Sequence, residues 1–141
     1  MRWYRRMAMV LVGVMLLAIS GSAIAAVKDD EISPLYLYTR RASASLSISE
    51  NGQATCGGYI KANDAQGDIR MTITLYKKAG TAWSRVTGWS ASKAGQTLEI
   101  ERFKQVSEGT YKVELIGSVT NSEGKKENVK AVSFEVTYSK K

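Results

Sequence analysis

Histidine is absent from this 141-residue chain, and cysteine and proline occur once each. Each gap excludes something. Without histidine there is no imidazole base, no Ser-His or Cys-His nucleophile pair, and no use of the commonest zinc ligand. With Cys56 as the only thiol, a zinc site would have to be built almost wholly from carboxylates, which zinc sites rarely are. A single cysteine also rules out a disulfide within the chain. It leaves Cys56 either buried and inert or free to pair between chains. The scarcity of proline removes the commonest strand breaker: Pro34 interrupts one segment only.

Charge of one sign is missing from the first 25 residues, where Arg2, Arg5 and Arg6 stand without an acid. An uncharged apolar run, Met7–Ile19, follows, and then Ala23-Ile24-Ala25 supplies the small residues of an A-x-A cleavage site. Basic, apolar and small-residue regions in that order predict a secretory signal peptide over 1–25, its apolar part helical and cleaved near Ala25. The alternative is an uncleaved anchor, because the run reaches the ~20 residues that span a bilayer once Gly21–Val27 is added. Cleavage is favoured by Gly21, Ser22 and the alanines, and by the lack of a following stop-transfer pattern. The expected location is therefore secreted, with membrane contact only through the leader.

Removing the leader changes the electrostatics. It carries three of the 20 basic residues and none of the 13 acids, so residues 26–141 hold 17 against 13, a net charge of +4 rather than +7. That mild surplus is not the clustered, arginine-rich footprint of a nucleic-acid binder. It is compatible with anionic surfaces such as acidic polymers.

Residues 26–41 read as an extended lead-in. They contain the charge run Lys28-Asp29-Asp30-Glu31, then Pro34, then Leu35-Tyr36-Leu37-Tyr38, with Tyr36 or Tyr38 packed down on the domain. From Ala42 to Lys141 the period of two dominates. Ala42–Ser49 alternates small apolar and polar residues. Ala54, Cys56, Gly58 and Ile60 then share one face, and Ile69, Met71, Ile73 and Leu75 mark the clearest stripe. In Ala82–Ser90 the apolar Trp83, Val86 and Trp89 are spaced by three, which predicts a bulge or a twisted edge strand. Leu98 and Ile100 alternate with Glu99 and Glu101; Tyr111, Val113, Leu115, Gly117 and Val119 form the next stripe; Val132, Phe134, Val136 and Tyr138 form the last. Polar turns separate these segments, and no helical period of useful length interrupts them. The pattern predicts an all-β, seven-stranded antiparallel sandwich over 42–141, with a small barrel as the competing closure.

Two details resemble an immunoglobulin-like sandwich. Gly109-Thr110-Tyr111-Lys112-Val113 resembles a tyrosine corner, in which the hydroxyl ties the penultimate strand back to the preceding turn. Two residues on, where such domains place a cysteine, stands Val113; Cys56 occupies the position of the other half. The resemblance implies a buried Cys56 facing a valine. The chain also resembles a family of small uncharacterised exported proteins of Gram-positive gut bacteria, chiefly clostridia. The segments that carry this are Ala44–Ile48, Gly52–Cys56, Ile73–Lys78 with Trp83-Ser84 and Trp89-Ser90, and Gly109–Val113. It implies a fold and a compartment, and no activity.

Candidate sites are few. Glu99 and Glu101 share a strand face and read as solvated, since Leu98 and Ile100 hold the other face inward; a glycosidase needs two carboxyls about 5–10 Å apart across a cleft, which nothing in the sequence places. Asn63-Asp64 with Asp68 is turn composition without the spaced acids of a calcium loop. Tyr76, Lys77, Lys78, Trp83, Arg85, Trp89 and Lys93 cluster in sequence, and two tryptophans flanked by cations could form a platform for sugars or an anionic wall polymer. The opposing expectation is that at least one tryptophan caps the core. The sequence thus points to a secreted non-enzymatic module binding a cell-wall polymer, a glycan or another surface protein, and implies no cofactor or metal. A secreted antimicrobial or toxin-like protein is the alternative, and a carboxylate-dependent hydrolase the remote one.

Overall fold

In a computed structural model of the chain, residues 25–29 and 36–141 are described. The expected leader, 1–25, lies outside them except for Ala25, as does Pro34. Among the described residues no helix is long and apolar enough to cross a membrane.

The described chain is all-β, with nine strands in two antiparallel sheets. The first sheet runs β1 (Ala25–Asp29), β2 (Thr39–Ile48), β3 (Gln53–Ala62), β6 (Thr97–Gln105). The second runs β5 (Ala82–Ala94), β4 (Asp68–Ala79), β7 (Gly109–Thr120), β8 (Lys126–Val132), and β9 (Val136–Tyr138) also pairs with β7. The inward stripes are those the alternation marks: Leu46 and Ile48, Cys56 and Ile60, Ile69 to Leu75, and Tyr111 to Val119. They meet in one core with Val129 and Ala131. At about 25 cal/mol per Å² of apolar area removed from water, this shared layer is what holds the two sheets together.

Three expectations need correction. The 26–41 lead-in is not free of folded elements: Ala26–Asp29 belongs to β1, which pairs antiparallel with β2 from Ala25↔Ser47 to Asp29↔Ser43, and β2 itself begins at Thr39. The outer edge of β2 offers unpaired backbone groups, and a neighbouring segment satisfies them whatever its charge pattern. In the last stripe Val136 and Tyr138 meet the core as expected, but Val132 and Phe134 do not. Val129, Ala131 and Val136 are buried, whereas Phe134 is 50% exposed. Ser133 shifts the register: its N–H donates to Val113 O (2.8 Å), and its hydroxyl accepts from Val113 N–H (2.8 Å). These bonds replace the ladder and break the strand into β8 and β9. The strand count consequently rises from seven to nine, β1 and the broken last strand supplying the extra two.

The ends of the domain are tied by side chains. Tyr36 and Tyr38 both pack against the core, as expected. The Glu127 carboxylate on β8 accepts from Leu37 N–H, Tyr38 N–H (2.9 Å) and the Thr39 hydroxyl (2.9 Å), anchoring the start of β2 across the sandwich. At the same end, Asp64 accepts from Gln66 N–H (2.9 Å) and Ser122 N–H (3.1 Å), joining two turns.

Candidate functional site

The expected Trp83–Trp89 platform does not form, because the bulge expected in β5 exists. Tyr76 pairs with Arg85 but Leu75 pairs with Thr87, leaving Val86 as the extra residue. In a regular strand two residues six apart share a face; one inserted residue inverts that parity. Trp83, opposite Lys78, points outward. Trp89, opposite the buried Ile73, turns inward and packs against the core. Lys77 and Lys93 also leave the group. Lys77 extends over the Tyr111 ring (5.8 Å) and donates to the Ser107 hydroxyl (2.9 Å), while Lys93 pairs with Ile69 at the far end of β5.

Four predicted residues remain together on the outer face of the second sheet: Tyr76, Lys78, Trp83 and Arg85. A fifth, Lys112 on β7, completes them, since it pairs directly with Tyr76. The Lys112 ammonium lies 4.4 Å from the Trp83 ring centroid and 5.9 Å from that of Tyr76, and Lys78 lies 5.9 Å from Trp83. Ring quadrupoles hold these ammonium groups in place, each contact worth about 0.5–1 kcal/mol at an exposed site. Arg85 folds back along its own strand: its guanidinium reaches within 3.0 Å of where a Cβ on Gly88 would stand, so the glycine provides the room. Lys112 lies 27 or more positions from the other cations in sequence. Only the β4–β7 register brings it in, so local spacing held no signal for it.

Among the described residues no acid pairs with Lys78, Arg85 or Lys112. The described ion pairs of this face lie elsewhere: Lys130–Glu114 (3.3 Å) and Arg70–Asp68 (3.6 Å). By strand register the face carries Arg70, Lys78, Arg85, Lys112, Lys126 and Lys130 against Asp68 and Glu114. That is six of the seventeen basic and two of the thirteen acidic residues of 26–141. The strand positions of this face therefore carry a net charge of +4. Beyond the aromatic end the same face sinks into a shallow depression of about 510 Å³, floored by Thr72, Ser90, Ser118 and Ile116 and edged by Arg70 and Lys126.

The remaining candidates resolve differently. Glu99 and Glu101 are exposed on the outer face of the first sheet, opposite Tyr59 and Gly57. Both oxygens of the Asp64 carboxylate serve the turn, and the Ser122 hydroxyl, then Gln66 N–H and Ser122 N–H, hold its pKa below the ordinary value. A group with a depressed folded pKa stabilises the fold above its unfolded pKa and loses that contribution as pH falls through the folded one. Acidification below about pH 4 should therefore loosen the 63–67 and 121–125 turns. Amide exchange at Ser122 should quicken there, and Asp64→Asn should make the rate independent of pH across that window once intrinsic exchange is corrected. Cys56 is fully buried, and burial pushes its thiol up to about 12. Among the described residues no three metal-ligating side chains converge. No family model matches the chain, and a search of curated proteins finds no match.

Proposed function

We propose that the protein is an exported, non-enzymatic binding module of immunoglobulin-like architecture, whose outer second-sheet face takes an anionic ligand at the cell surface or in its surroundings. The observation that carries this reading is the cluster of Lys78, Arg85 and Lys112 around Trp83 and Tyr76 without an acid in attendance. A merely solubilising surface interleaves the two signs. Here like charges converge and are held by aromatic rings, which leaves their attraction available to a ligand. Tryptophan, tyrosine and arginine are also the residues that dominate binding energy at interfaces. The export half rests on the leader, and cell-wall polymer or glycan is the partner class that fits both.

The architectural half is supported by Tyr111, which is buried and donates its hydroxyl to Ser107 O at 2.7 Å, the tie of a tyrosine corner. The strand partition supports it too, with β2, β3 and β6 on one sheet and β5, β4, β7 and β8 on the other.

The test uses purified protein and the Trp83→Ala/Lys112→Ala double variant on insoluble Gram-positive cell walls and on an array of acidic glycans. Both side chains are half-exposed, so the variant should retain the wild-type unfolding temperature within a few degrees. Wild type should bind, weaken as salt rises through the screening range, and lose at least about tenfold in affinity in the variant. Equal retention of the folded variant would remove this face from the function.

A further inference from the structure

The two ends of the face differ, and the difference specifies the ligand. At the aromatic end Lys78, Arg85 and Lys112 give three positive charges and no acid. In the middle Lys130 and Glu114 neutralise each other at 3.3 Å. At the far end Arg70 and Lys126 outweigh Asp68 by one charge. Along β4, Arg70 and Tyr76 are six residues apart, which at about 3.4 Å per residue separates the two charged stations by ~20 Å. Between them the surface has no net charge: Thr72 and Ser90 exchange a hydrogen bond at 2.7 Å beside the exposed Ile116, and Thr74 lies next to the Lys130–Glu114 pair. A small acid would occupy only the first station. A densely charged polymer would place unmatched negative charge over the neutral middle, beside the Glu114 carboxylate.

We infer that the face binds a linear anionic glycan lengthwise, with one acidic group among Lys78, Arg85 and Lys112, sugar units over the exposed Thr72, Ser90 and Ile116, and a second acidic group at Arg70 and Lys126. This rests on the binding reading above and narrows it to a chain of several sugar units with intermittent charge. Charge complementarity selects the polymer, and a floor that pairs the Thr72 and Ser90 hydroxyls with the apolar Ile116 selects a sugar backbone over a bare polyphosphate. The half-exposed Trp83 and Tyr76 add apolar ring surface for sugar C–H groups at the dominant end.

The experiment titrates the full protein with fragments of an acidic polysaccharide whose carboxylates are partly methyl-esterified, graded from the monomer to chains well beyond ~20 Å. Inorganic polyphosphate and a neutral glucan of matched length serve as comparison probes. Wild type should bind the monomer negligibly, gain at least tenfold once the fragment spans both stations, and gain little more thereafter. Arg70→Gln/Lys126→Gln should abolish the length-dependent gain while leaving short-fragment binding as it was. Binding that is the same for all lengths, or an unchanged gain in that variant, overturns the lengthwise site while leaving the binding reading standing. Polyphosphate held more tightly than the acidic glycan overturns the sugar assignment. Failure of every anionic probe, with Trp83→Ala/Lys112→Ala no different from wild type, defeats the binding reading itself.

Discussion

Replacing Val113 by cysteine should produce a protein with no free thiol, because the new side chain closes a disulfide with Cys56 across the sandwich. The inter-sheet register predicts this. A Cβ on Gly58 would stand 3.2 Å from Leu115 Cδ1, and one on Gly117 would stand 2.8 Å from Ile60 Cδ1. Both pairs, 58 with 115 and 60 with 117, differ by 57 positions, so β3 and β7 run in the same direction across the core. The same offset carries Cys56 onto Val113, and both are fully buried. The oxidised variant should exceed its own reduced form by about 2–4 kcal/mol, since the bridge closes a long loop in the unfolded chain. The reduced variant should fall about 1 kcal/mol below wild type through the lost methyl group. Denaturant unfolding with and without reductant measures both. In wild type the thiol should stay silent to a disulfide reagent at pH 8, where a pKa near 12 leaves about one thiolate in ten thousand, and react fully on unfolding. Two titratable thiols in the oxidised, denatured Val113→Cys protein would show that the register, and with it the immunoglobulin-like reading, is wrong.

Most of the fold was legible because each inward stripe alternates cleanly. Ile69, Met71, Ile73 and Leu75 are buried to 2% exposure or less, and their neighbours Arg70, Thr72, Thr74 and Tyr76 face outward, as a period of two requires. Alternation fails where the backbone departs from regular pairing. Ser133 satisfies the Val113 amide through its hydroxyl, which no pattern of apolar residues announces, and the parity changes there: Ala131 and Val136 enter the core while Val132 and Phe134 face away from it. β1 was missed for a different reason. Edge addition depends on the open side of β2, a property of the partner rather than of the segment that joins it.

The candidate site was half legible, and for one physical reason. Three-residue spacing in Trp83, Val86 and Trp89 signalled the bulge, yet the same bulge decides which tryptophan reaches solvent. Its position within the segment could not be fixed without the partner strand. Tyr76, Lys78, Trp83 and Arg85 share a hairpin and so were adjacent in sequence. Lys112 joins them through long-range register, and the concentration of net charge on this face appears only when four strands are laid side by side.

The close approach of the sheets that aligns Cys56 with Val113 also sets the largest destabilisation expected from a single methyl group. Gly58 and Gly117 are the thin points of the core, each filled by a large residue from the opposite sheet: Leu115 and Ile73 over Gly58, Ile60 over Gly117. The two sites should differ in tolerance. At Gly58 the added Cβ meets only side-chain atoms: Met71 Sδ at 2.8 Å can repack, whereas Ile73 Cγ2 at 2.6 Å belongs to a stiff β-branched residue that must shift as a whole. At Gly117 it meets Arg70 O at 2.5 Å, a backbone carbonyl of the adjacent strand, as well as Ile60 Cδ1. Relief there requires moving β4 or β7, against the rigidity of a close-packed interior. Gly117→Ala should therefore cost about 3 kcal/mol, the upper part of the overpacking range, and Gly58→Ala about 2 kcal/mol. Chemical denaturation of both variants gives the comparison. A Gly117→Ala protein as stable as wild type would mean that β4 and β7 yield locally and that the approach to Arg70 O is not rigidly fixed.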